Sequence, residues 1–219
     1  MLTPGTLYVT IVNIGGDYAM HKPYHHGNLE ETLIETGIAL IDKEGIKNFS
    51  LRKVAAACGV SHAAPYKHFA DKDVLLQSMW QHVIEKFSDR LEMALKDNAN
   101  NPKKMILLAQ AYLHFFIENP HYYRFLLTQP AVSSINLSNL DETSDYRPFE
   151  IFKKEAKLHL EMRSIQKNQR NEVLISMWAS VQGVTSLAVM QNVQYEGNWD
   201  TFLVNMLKNY TLPRKDNEE

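Results

Sequence analysis

The 219-residue chain has a single cysteine, Cys58. An internal disulfide is therefore excluded, and the usage fits a reducing, cytoplasmic compartment. Net charge is equally scarce: 23 lysines and arginines face 25 acidic residues, for a formal charge of -2. Such a molecule is no polycation, so nucleic-acid binding would have to come from a local patch. Long hydrophobic runs are missing too. The apolar stretch 7–14 is interrupted by Thr10 and Asn13 and is far shorter than a membrane span. Residues 1–19 hold no lysine or arginine, so the basic leader of a signal peptide is absent and no membrane partner is expected. Residues 1–22 are expected to be a disordered N-terminal extension, with Met20 a candidate native start. Strand-like alternation is confined to residues 7–12, and there is no internal repeat or low-complexity tract.

What is present is a succession of helical periods between short breaks, in a chain whose 45% hydrophobic content suffices for a real core. Asn28 with Glu31 has capping-box spacing and opens a helix carrying Leu29, Leu33, Ile34, Ile38 and Ile41, ended by Gly45. Ser50 caps a short helix to about Ala57, and Ser61 is expected to cap another, His62–Phe69. Asp71 opens a long helix with Leu75, Met79, Val83, Phe87, Leu91 and Leu95 at i+4 spacing, a face wide enough for burial from two sides. Asn101-Pro102 and Asn119-Pro120 each predict a further helix start. Residues 129–147 have no period and read as a loop or mobile connection. Helices near 148–160, 168–192 and 199–210 complete an all-α fold of about nine helices.

The stretch from Phe49 to Phe69 has the mechanics of a helix-turn-helix. Ala55 lets two helices cross closely, Gly59 can take the positive φ of a sharp turn, and Val60 is expected to plug that turn into the core. Pro65 is expected to forfeit only one intrahelical bond. Between Lys47 and Lys72 stand Lys47, Arg52, Lys53, Lys67 and Lys72 against Asp71 alone. That local surplus of four, with His62 and His68 as further donors, suits phosphate contacts.

These residues resemble the TetR family of bacterial regulators. The resemblance rests on the lead-in Tyr24–Leu29, on Ala55, Gly59, Val60 and Ser61, on Tyr66-Lys-His-Phe69, and on Asp71-Lys-Asp with Leu75-Leu76. It covers residues 24–80 closely and the order of helices more loosely. It implies a three-helix DNA-binding domain at 23–70, an effector-binding and dimerisation domain at 71–213, and a tail at 214–219. By resemblance, Arg52 reaches a base, and Ser61, His62, Ala63 and Ala64 open the groove-facing helix. Ser50, Tyr66, His68 and Lys72 match phosphate contacts, with Lys67 beside them. Since Ala63 and Ala64 offer only methyl groups, readout would rest on Arg52, His62, thymine methyls and DNA shape.

The body resembles the branch of that family named for a Trp-His-Gly pattern. Here Trp178 and Gly183 frame Gln182, which stands where histidine is usual. The resemblance implies a homodimer formed by the last two helices, with Ala179, Gly183 and Ser186 allowing close approach. It also implies a small, largely apolar effector among the central helices, for which Phe87, Tyr112, Phe116, Tyr123, Phe152, Trp178 and Gln182 are the candidates. His159 is a further polar group there. The competing reading of the aromatics is a filled core, in a regulator that answers to a protein partner or to nothing. No metal or cofactor is expected, because His21, His25 and His26 lack a carboxylate or cysteine at ligand spacing. Cys58 reads as packing rather than as a redox sensor. No nucleophile-base or paired-carboxylate pattern suggests an enzyme.

Overall fold

The computed structural model describes residues 29–98, 101–128, 134–162 and 165–211, with side chains to 208. The N-terminal extension, the Tyr24 lead-in, the Asn28 cap, the three early histidines, the 129–133 part of the loop and the tail lie outside them. The described residues form eight α-helices and no strand. These are α1 (Leu29–Glu44), α2 (Leu51–Ala57), α3 (Lys72–Asp97), α4 (Lys104–Glu118), α5 (Pro120–Thr128), α6 (Arg147–Met162), α7 (Arg170–Val189) and α8 (Trp199–Thr211).

Helix α3 organises the rest. Its stripe of Leu75, Met79, Val83, Phe87 and Leu91 is buried along the whole length, with α1, α4 and α6 packed against it. Asp71 starts α3, its carboxylate accepting from the Asp73 and Val74 N–H groups at 2.9 Å each. Helix α7 packs on α4, α6 and α8 and buries Leu174, Met177, Trp178, Val181 and Val184. By length and composition alone α7 could cross a membrane, and 39% of its most apolar stretch is buried inside the protein.

Three expectations need correction. The helix expected over His62–Phe69 is a single 3-10 turn, Pro65–Lys67, between irregular turns. Pro65 has no N–H to give to Ser61, and its ring disfavours the α-helical carbonyl there. The segment closes on shorter bonds instead: Ala64 N–H to Ser61 O (2.9 Å), Lys67 N–H to Ala64 O (3.2 Å) and His68 N–H to Pro65 O (3.0 Å). Ser61 thus contributes its carbonyl to the turn. The fifth expected helix begins at Lys104, two residues past Pro102, after a turn closed by Lys104 N–H on Asn101 O at 3.0 Å. Residues 134–146 are a loop, but a fastened one. Leu140 is only 2% exposed. Lys153 donates to Glu142 O at 2.7 Å and Lys157 to Leu140 O at 2.9 Å, so both lysines of α6 hold the loop backbone.

One polar cluster ties the N-terminal helix to the body. The Glu35 carboxylate of α1 accepts from Tyr122 Oη (2.6 Å) and Lys86 Nζ (2.7 Å) and lies 2.8 Å from His82 Nε2. Partial burial pushes its pKa up, but the hydrogen bonds from His82, Lys86 and Tyr122 and the Lys86 charge outweigh it and hold the group at about 2. A depressed folded-state pKa stabilises the protein above the ordinary value near 4.5, and that stability is lost as pH falls towards 2. Glu35→Gln should therefore lower stability at neutral pH by about 2 kcal/mol, after a discount for partial exposure. In urea titrations at a series of pH values, the gap to wild type should close below pH 4.5; a constant gap would contradict the assignment. A second test concerns Thr185, fully buried on α7 with a hydroxyl that has no hydrogen-bond partner among the described residues. Thr185→Val removes that buried polar atom and should raise stability by about 1 kcal/mol. A lower thermal midpoint would overturn this reading.

Candidate nucleic-acid interface

The reading unit is built from two short pieces around one turn. Ser50 adopts extended backbone and its hydroxyl accepts the Lys53 N–H at 3.3 Å, which starts α2. Leu51, Val54 and Ala55 go inward, leaving Arg52, Lys53 and Ala56 outside. At the other end Val60 N–H returns to Ala55 O (3.0 Å) and Gly59 N–H to Ala56 O (3.1 Å). That paired closure requires a left-handed residue, and Gly59 supplies it with φ of 69°. Val60 itself is only half-buried, so the turn is held by these backbone bonds more than by the expected apolar plug.

The segment that follows has a buried side and an open side. Pro65 and Phe69 are buried and hold it to the core. Ser61, His62, Ala63, Lys67 and His68 are exposed, Ala64 is half-buried, and Tyr66 is 55% exposed with its ring in solvent. An exposed tyrosine of this size between two anchors has an apolar body to lay on sugar and a hydroxyl to give to phosphate.

The structure divides the cations that the sequence counts together. Lys53 is paired with Glu44 of α1 at 2.8 Å. His68 lies 3.5 Å from Glu30. Lys72 donates to Ile46 O at 3.3 Å and sits 5.7 Å above the Phe49 ring, so it braces the turn before α2. Lys47, Arg52 and Lys67 have no ion pair among the described residues. Glu30 and Glu44 lie outside the 47–72 window, which is why a linear charge count overstates the patch. Cys58 is half-buried; burial pushes its thiol pKa up, as suits packing.

In the body, the aromatic candidates come together. Phe87 lies 4.8 Å from Tyr112 and 4.7 Å from Phe116 between ring centroids. Tyr112 is 5.5 Å from Trp178, Phe116 5.1 Å from Tyr123, and Phe152 5.0 Å from Trp178. All six rings are buried, and burial pushes the Tyr112 hydroxyl well above its ordinary pKa. Gln182 is half-buried one turn beyond Trp178 on α7. His159 is buried on α6. On the outside of α7 and α8 an apolar groove of about 620 Å³ is lined by Ala179, Gly183, Ser186, Leu187, Phe202 and Met206 among others. The three small residues named from the sequence all line it. What the sequence did not reveal is the polar seam of Glu35 and Asp42 with α5, whose partners lie more than 80 residues apart.

A family model described as bacterial regulatory proteins, tetR family, matches residues 33–79, which take in most of α1, all of α2, the Gly59 turn and the start of α3. The uncharacterized HTH-type transcriptional regulator YerO of Bacillus subtilis (strain 168) is 30% identical over 102 residues. That match takes in 46% of this chain but only 35% of YerO. Among solved structures, a TetR family transcription regulator from Marinobacter aquaeolei VT8 superposes with a TM-score of 0.61 at 15% identity, over 83% of this chain and 94% of that one. The multidrug binding protein EbrR, solved in complex with malachite green, gives a TM-score of 0.55 at 17% identity, over 85% and 99%. At such identities the two structures speak for the fold, including its helical body. The helix-turn-helix lies inside the segment that matches the tetR family model, and the fold along most of the chain is similar to that of the TetR family structure from Marinobacter aquaeolei VT8.

Proposed function

We propose that this protein is a cytoplasmic DNA-binding transcriptional regulator, a repressor that holds a pseudopalindromic operator as a homodimer. The observation that carries this reading is the open side of the helix-turn-helix. Arg52, His62, Ala63, Tyr66 and Lys67 are all exposed on a unit whose inner residues are fully committed to the core. Residues 23–70 would be the DNA-binding domain and 71–213 the body. Two reading units would enter successive major grooves about 34–36 Å apart. A second copy would cover the groove on α7 and α8, where small residues permit close helix approach.

A small, largely apolar effector would act through the body. It has to favour a dimer geometry with the wrong spacing for DNA, and to bind that state more tightly than the DNA-bound one. EbrR supports the idea that this fold can take such a ligand. The touching rings of Phe87, Tyr112, Phe116 and Trp178 favour a second reading. In that one the core is filled, and regulation comes from a protein partner or is absent.

The test is selection from a randomised duplex library, followed by footprinting and affinity measurement. An inverted repeat should be enriched. Arg52→Ala should weaken binding by about 1–3 kcal/mol and relax preference at one position of each half-site. Tyr66→Phe and Lys67→Ala should weaken all sequences alike, and Lys67→Ala should reduce the salt slope by about one. No enrichment, or unchanged affinity in Arg52→Ala, would overturn the reading.

A further inference from the structure

Helix α1 brings two carboxylates to one point. Glu31 and Glu35 stand four residues apart, one turn along the same face. From α3, His82 reaches the same place, its Nε2 2.8 Å from Glu35 Oε1. One donor atom of each of these three side chains lies within 4.8 Å of the others. A tetrahedral ion with bonds of about 2.0–2.2 Å holds its ligands roughly 3.4 Å apart. The exposed Glu31 side chain has the rotamer freedom to close that difference. Glu35 and His82 are half-buried, so their positions are set by packing.

The Glu35 carboxylate is also held in orientation. The bonds from Tyr122 Oη and Lys86 Nζ both end on Oε1, which fixes the plane of the group without using Oε2. Metal-binding carboxylates are oriented by hydrogen bonds of this kind. An open cleft of about 400 Å³ between α1 and α3 leads to the group, with Glu30, Ser78, Gln81 and Glu85 on its walls beside Glu31 and His82. Four carboxylates therefore share the site with the Lys86 ammonium, and a divalent cation offsets their mutual repulsion.

We propose that Glu31, Glu35 and His82 form a binding site for a divalent transition cation of the zinc class, with water from the cleft as the fourth ligand. The donor set selects the ion. An imidazole nitrogen suits zinc, nickel and copper, whereas magnesium and calcium take oxygen ligands. Three protein ligands and a water, open to a cleft, hold an exchangeable ion rather than a sealed structural one. Binding uses the Nε2 lone pair, so the ion displaces any proton held between His82 and Glu35. The histidine lies 47 residues from Glu35 in the chain, which is why no ligand spacing shows in the sequence. The site stands whether or not the protein binds DNA.

Calorimetric titration of the full chain with Zn²⁺ alone tests this. His21, His25 and His26 would compete for the ion, so the chain carries His21→Gln, His25→Gln and His26→Gln. One Zn²⁺ per chain should bind and raise the thermal midpoint. Glu31→Gln, at an exposed position, and His82→Gln should each weaken binding about tenfold or more. Glu85→Gln, on the cleft wall, should change it about twofold or less. Co²⁺ in place of Zn²⁺ should give a visible absorption band that His82→Gln shifts, marking a nitrogen ligand. Absence of saturable binding would overturn the proposal. So would an affinity that neither Glu31→Gln nor His82→Gln changes, which would put the ion elsewhere. Mg²⁺ binding as tight as Zn²⁺, or an equal loss in Glu85→Gln, would reduce the site to diffuse acidic charge and overturn it too.

Discussion

The structure depends on one shared surface, the apolar stripe of α3. At about 1.5 Å per residue, a helix of 26 residues is roughly 39 Å long, and its buried residues serve two units in succession. Its first half packs on α1, where the sulfur of Met79 would stand 3.0 Å from a Cβ placed on Gly37. Phe87 lies among the rings of α4. Neither unit has a separate core, and the buried residues form one continuous cluster from Leu33 to Leu207. A reading unit that shares its core with the body has an orientation set by packing. The polar seam along α5 then adds directional bonds to an otherwise non-directional contact.

Much of this was legible in the sequence because it is local. The stop of α1 at Gly45, the Ser50 cap, the run Leu51–Ala57 and the Gly59 turn each depend on side chains within a few residues of the backbone groups they satisfy. The i+4 stripe of α3 follows from helical geometry alone. The family resemblance was legible for the same reason, since its most specific residues are those of the turn.

The rest failed for identifiable physical causes. Pro65 converts an expected helix into a 3-10 turn because its missing N–H falls where the helix would need it. The pairing of Lys53 with Glu44 and of His68 with Glu30 comes from the packing of α1 beside α2, which no window of sequence contains. Leu140 is a lone apolar residue in a polar stretch, without a period to betray its burial. The bonds of α5 to Glu35 and Asp42 join partners chosen by tertiary structure. Local chemistry can be read from neighbours in the chain, whereas ion pairs between helices require the packing first.

The construction of the reading turn has a consequence for how such a protein can change. Pro65 and Phe69 carry the turn's burial, and its hydrogen bonds from Ala64 to His68 run between backbone atoms. The exposed side chains at 61–63 and 66–68 therefore contribute little to folding. Substitutions among them alter the chemistry presented to a partner at small cost to stability. The turn acts as a fixed mount with interchangeable contacts, so recognition can drift by single steps through sequences that all fold.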